Sequence, residues 1–180
     1  MRAMLLTLVL AAALAAQETR HEIVNAAKNP ADDAKGLSDK VPDVYAVATQ
    51  FERVVLLRFK FDTDLLAGLE KMVKQEKIQN AIILSGMGSV RGYQVHQVSN
   101  GTFPSKNMFV KNPTEAADVI GMSGFVANGV LHPHITMATP DRAFGGHLEP
   151  GTKVFTFVVV TLGILKDGAD MSHFDDKSYR

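Results

Sequence analysis

The chain has 180 residues, 46% of them hydrophobic and 21% charged, with 19 Lys+Arg against 19 Asp+Glu and no cysteine. That length suits one domain with a sizeable core plus short extensions, and the composition excludes a disordered chain. The balanced charge, without a basic block, excludes an electrostatic footprint for nucleic acid, and the missing cysteines exclude disulfides, thiolate metal ligands and a lipoprotein attachment site.

In chain order, residues 1–15 come first. Arg2 supplies a short positive start, and Leu5–Ala12 is an apolar run too short to span a bilayer. Ala13-Leu14-Ala15 offers a small-residue cleavage site. The pattern predicts a signal peptide, a secreted or periplasmic location, and no stable membrane insertion once the leader is cleaved. Residues 16–50, with "KNPADDAKGLSDKVPD" at their centre, predict an extended or partly helical N-terminal extension draped over the domain.

The domain is predicted over 51–165. "FERVVLLRFKF" is rich in β-branched and aromatic residues and reads as a strand. In "DTDLLAGLEKMVKQEKI", Leu65, Leu66, Leu69, Met72 and Val73 fall on one helical face, with Asp62 or Thr63 as N-cap. "NAIILSG" reads as a buried strand, "SGMGSV" as a tight glycine turn, and "VRGYQVHQV" as a further strand. "SNGTFPSKN" is a loop by its Asn-Gly and Pro. "AADVIGMSGFVA" and "GVLHPHITMA" form strands joined by Asn128-Gly129. "TPDRAFGGHLEPGT" reads as a loop, "KVFTFVVVTLGIL" as a central strand, and residues 166–180 as a polar, peripheral tail. One helix followed by strands predicts an α+β domain: a mainly antiparallel sheet with one principal helix packed on it.

Three of the six histidines lie in "GVLHPHITMATPDRAFGGHLEPG". Residues i and i+2 of a strand share a face, so His132 and His134 project side by side. Pro133 removes a ladder donor and marks an edge or an irregular strand. His147 follows Gly145-Gly146, which permit a close backbone approach. The set has two readings: three neutral imidazoles holding Zn²⁺ with one position open, or a solvated strand face. Asp141 and Glu149 are candidates to accept the free ring N–H of a ligating histidine. His96 is a fourth ligand, a general base beside the metal, or a hydrogen-bonded strand histidine. His21 and His173 read as solvated. Ser85 and Ser89 match neither a nucleophile elbow nor a phosphate loop.

"LHPHITMATPDRAFGGHLEPGTKV", "AIILSGMGSVRGYQVH" and "LLRFKFDTDLLAGLEKMVKQEKI" together resemble the plants and prokaryotes conserved (PPC) domain. The resemblance implies a sandwich-like domain with a largely antiparallel sheet, assembled as a homotrimer, with metal held by His132, His134 and His147. Plant members carry AT-hooks and bind DNA; this sequence has no Arg-Gly-Arg-Pro core. The expectation is an exported, stand-alone, zinc-binding protein. Its small-molecule chemistry would use His96 or Glu149 to shuttle a proton, and the alternative is a non-catalytic trimeric ligand-binding or assembly module.

Overall fold

The computed structural model describes residues 18–35 and 38–180. The expected signal peptide therefore lies outside the described residues. Within them the chain forms seven strands and two helices: β1 (Arg20–Asn25), α1 (Pro30–Asp33), β2 (Phe51–Lys60), α2 (Leu65–Gln75), β3 (Ala81–Val98), β4 (Lys106–Ala127), β5 (Val130–Ala138), β6 (Ala143–Leu148) and β7 (Val154–Leu165). The strands make one antiparallel sheet in the order β1-β4-β5-β6-β3-β7-β2, and β3 also pairs with β4. The β3–β4–β5–β6 ring is thereby closed on itself.

This corrects the expected α+β domain with a principal helix. The fold is mainly β, because segments that read as turns or loops are strand. "SGMGSV" does not turn; it runs through the middle of β3, an 18-residue strand. β4 begins at Lys106, ten residues before "AADVIGMSGFVA", and is 22 residues long. The presumed loop after β5 contains β6. The role of glycine here is close packing between strands, not turning: a Cβ on Gly88 would lie 2.1 Å from the Phe157 carbonyl oxygen. The N-terminal extension also contributes, since β1 pairs with β4 from Arg20↔Lys111 to Asn25↔Lys106.

Helix α2 forms where its periodicity places it. Asp64, one residue beyond the expected caps, accepts from the Ala67 amide at 3.2 Å, and it also takes the Gly151 amide at 2.8 Å. Leu65, Leu66, Leu69 and Val73 enter the same core as Phe59, Val95, Ile135, Leu148 and Leu162. Each fully buried aliphatic side chain of this kind stabilises the fold by about 1.5–3 kcal/mol.

Closure of the ring depends on two glycines. β6 lies between β5 and β3, pairing His147 with His134 on one side and with His96 on the other. A Cβ on Gly145 would sit 2.1 Å from the Ile135 carbonyl oxygen, and one on Gly146 would sit 2.3 Å from that of His96. Backbone, not a flexible side chain, occupies both spaces. Gly146→Ala is therefore expected to destabilise the protein by roughly 3 kcal/mol, a fall in Tm of about 6–12 °C for a chain of this size. Thermal unfolding checks this, with an alanine at Gly101, where an added Cβ meets nothing within 4 Å, as the neutral control.

Candidate metal centre

Alternation along three neighbouring strands aims the histidines. On β3, fully buried Val95 turns His96 to the other face; on β5, buried Pro133 and Ile135 flank His134; on β6, fully buried Leu148 does the same for His147. Pro133 lies on the stretch of β5 that pairs with β4 alone, because β6 reaches only as far as His134. His96, His147 and His134 thus stand in one row across three strands, with His132 two residues along β5.

The four rings crowd together. Centroids are 4.7 Å apart for His96 and His147, 4.9 Å for His132 and His147, 5.4 Å for His132 and His134, and 5.5 Å for His134 and His147. Phe109 packs against His96 and Phe125 stacks on His132, so the outer members have apolar backing. The structure brings all three sequence-predicted ligands together and places His96 beside them.

Two carboxylates hold the rings. Glu149 Oε1 lies 2.6 Å from His96 Nδ1 and 3.1 Å from His147 Nδ1. Asp175 Oδ1 lies 2.8 Å from His132 Nδ1. A carboxylate only accepts, so each of these Nδ1 atoms carries a proton, and in the neutral ring Nε2 keeps its lone pair. His132 Nε2 and His134 Nε2 are 3.3 Å apart. Two nitrogens bound tetrahedrally at about 2.0–2.1 Å from zinc stand about 3.3–3.4 Å apart, so this pair already has the spacing of two ligands. Among the described residues, the group of three metal-capable side chains with donor atoms all within 4.8 Å of one another is His96, His147 and Glu149; His132 and His134 are not part of it. The 2.6 Å contact within it is a hydrogen bond, shorter than the edge between two zinc ligands. That geometry fits Glu149 as the group that orients His96 and His147.

Of the two acids proposed as orienting groups, Asp141 is exposed in the turn between β5 and β6, away from the site. Asp175 was missed. It sits in the tail that read as peripheral, and no local pattern marks it, since it arrives only by the chain's return across the sheet. His173 also departs from the solvated reading: it stacks on Tyr179 at 4.0 Å, and its Nδ1 is buried. His21 is exposed on β1. Ser85 and Ser89 make interstrand hydrogen bonds to Thr161 and Thr156.

The histidines form the floor of a cleft of about 680 Å³. Its walls include Asp33 and Phe103 from one side and Asp175, Lys177 and Arg180 from the other. Removal from water, then the neighbouring charge of His96, holds the His147 imidazole below the ordinary histidine range, and Glu149 opposes this in part. His134 is lowered too, by loss of water first and then by His132 and His96.

Residues 46–166 match the family of the Plants and Prokaryotes Conserved (PCC) domain, and the chain belongs to that family. The solved structures it resembles include a hypothetical protein from Salmonella enterica (23% identity, TM-score 0.57, covering 66% of this chain and 80% of that one). A metal-containing protein from Archaeoglobus fulgidus shares 22% identity with a TM-score of 0.57, over 75% of this chain and 95% of that one. A plant- and prokaryote-conserved protein from Pyrococcus horikoshii shares 22% with a TM-score of 0.53, over 72% and 87%. At these identities the likeness is one of fold. Among curated proteins, the bifunctional protein GlmU of a Synechococcus strain is 26% identical over 111 residues, taking in 61% of this chain and 17% of that protein.

The lowered pKa of His147 makes a pH prediction for metal-free protein. Its folded value lies below its unfolded value of about 6.5, so the unfolded chain takes the proton first as pH falls. Stability from this group is complete above that pH and is lost as the pH drops below it. The Tm of metal-free protein is expected to fall from pH 7 to pH 5, and His147→Gln is expected to flatten that part of the profile.

Proposed function

We infer that this chain is an exported metal-binding protein, holding a divalent metal at His132, His134 and His147 with His96 beside them. One observation carries the reading: four imidazoles converge on the floor of a single cleft, with Glu149 and Asp175 on their Nδ1 atoms. Neutral imidazole nitrogens suit zinc and the other imidazole-binding transition metals. The metal-containing relative from Archaeoglobus fulgidus, alike in fold, supports the same assignment. Export follows from the leader pattern at residues 1–15.

The cleft is large enough for a small molecule beside the metal. Bound zinc supplies Lewis acidity and a lowered pKa for a coordinated water. The chain's own part is to position and to move protons. Glu149 bridges His96 and His147 through one oxygen, and so can hold or pass a proton between their Nδ1 atoms. Val98, Phe103 and Leu131 line the apolar part of the cleft.

Self-assembly into a homotrimer belongs to the same reading. The outer face of β3, β4 and β7 exposes Met87, Ile120, Phe155 and Phe157, which share one shallow depression of about 780 Å³. Met87 is 62% exposed and Ile120 57%, an apolar cluster of the kind a subunit contact covers.

Metal analysis after zinc loading and dialysis tests the centre. The wild-type chain is expected to retain zinc and the His132→Ala/His134→Ala double variant to lose it; equal retention, or none in either, overturns the assignment. Sedimentation tests the assembly. The wild type is expected at three times the chain mass, and Met87→Glu is expected to release monomer without changing the far-UV spectrum.

A further inference from the structure

The family match ends at residue 166, yet the chain that follows supplies part of the cleft. That segment is pinned on both sides of Asp175. Upstream, Ala169 and Met171 are buried in a small core with Ala127 and Leu165, and Asn80 donates to the Ala169 carbonyl at 3.0 Å. Phe174 meets Phe125 edge-on, and Phe125 in turn stacks on His132. Downstream, Arg180 pairs with Asp33 at 3.2 Å and lies 4.0 Å over the Phe103 ring, while its carbonyl accepts the Ser38 amide at 2.9 Å. Asp33 is itself fixed by the amide and hydroxyl of Ser105, each at 2.6 Å.

The two anchored ends leave Asp175 one task. Among the described residues its only polar partner is His132 Nδ1. Its neighbour Asp176 is engaged by Ser178 and His173, and so cannot take its place. Glu149, the carboxylate within the family domain, serves His96 and His147. Among the described residues, Asp175 is the sole group on the Nδ1 of His132. A carboxylate at that atom fixes the ring's orientation and its Nδ1–H tautomer, and turns the Nε2 lone pair toward His134 and the cleft.

We propose that residues 167–180 are a working part of the site, with Asp175 the positioning residue for His132. For its effect on metal affinity this rests on the metal reading above; for the state of the His132 ring it does not. Positioning is reciprocal: a cation on Nε2 makes the Nδ1–H more acidic and strengthens its bond to Asp175. Occupancy of the site and docking of the tail therefore reinforce each other.

The full-length chain tests this with two readouts. In chelator competition, Asp175→Asn is expected to weaken zinc binding about 10–100-fold, while Asp141→Asn leaves it unchanged. In ring ¹⁵N spectra of the metal-free protein, His132 is expected as the Nδ1–H tautomer in the wild type and as a tautomer mixture in Asp175→Asn. Zinc is also expected to slow amide exchange in residues 167–180 of the wild type, and to do so less in the variant. Wild-type zinc affinity together with an unchanged His132 tautomer in both Asp175→Asn and Asp175→Ala overturns the proposal. If the wild-type chain takes up no zinc, the metal reading falls by itself and the ring spectra alone decide: a shifted tautomer supports Asp175 and an unshifted one overturns it.

Discussion

Burial of apolar side chains on one face of β3, β5 and β6 is what places the chemistry on the other. Val95, Ile135 and Leu148 are essentially inaccessible to water, and each is next in sequence to a histidine of the cluster. A slip of one residue in β6 would expose Leu148 and send His147 into the core, losing burial and stranding a polar ring at once. The register that presents His147 is therefore held by hydrophobic energy and needs no contribution from a ligand. Gly145 and Gly146 make that register attainable, because only a residue without a Cβ lets β6 lie this close to the carbonyls of Ile135 and His96.

Neighbouring imidazoles oppose the protonation of His147 and His134. Loss of water acts in the same direction on His147 and His134. The carboxylates act on the far side of the rings. By accepting from Nδ1, Glu149 and Asp175 fix the orientation of the His96, His147 and His132 rings and turn their Nε2 atoms away from the carboxylates. A pre-oriented donor set is what a borderline-soft cation would need, and its donors ride on strands, not loops.

How much of this was legible in the sequence follows from the range of each signal. The His-x-His pair was readable because strand alternation is local, and α2 was readable because its apolar period is local. The long strands were not. Glycines in β3 and β6 meet the chain through contacts with β7, β5 and β3 that no window of sequence contains, so "SGMGSV" and the stretch holding Gly145-Gly146 read as turns. The same nonlocality hid the closed ring and left the helix looking more prominent than it is. His96 was visible as a candidate but not as a partner of His147, since that pairing joins residues 51 positions apart. Asp175 was invisible for a further reason: its anchors, Met171 and Arg180, are single residues in a polar tail whose composition alone reads as solvent-exposed.

The division between the family domain and its flanks carries the last step. The domain supplies the strand register and Glu149, features that the fold itself can hold in place. The segments outside it supply Asp175, Asp33, Lys177 and Arg180, and these shape access to the cluster. Likeness near 22% identity is one of fold alone. Two chains can thus share the sheet and differ in what lines a cleft on it. In this chain the Arg180–Asp33 pair ties the C-terminal tail to the N-terminal segment across the mouth of the cleft. The sheet accordingly sets the row of histidines, while the segments outside the domain line the cleft and orient the His132 ring.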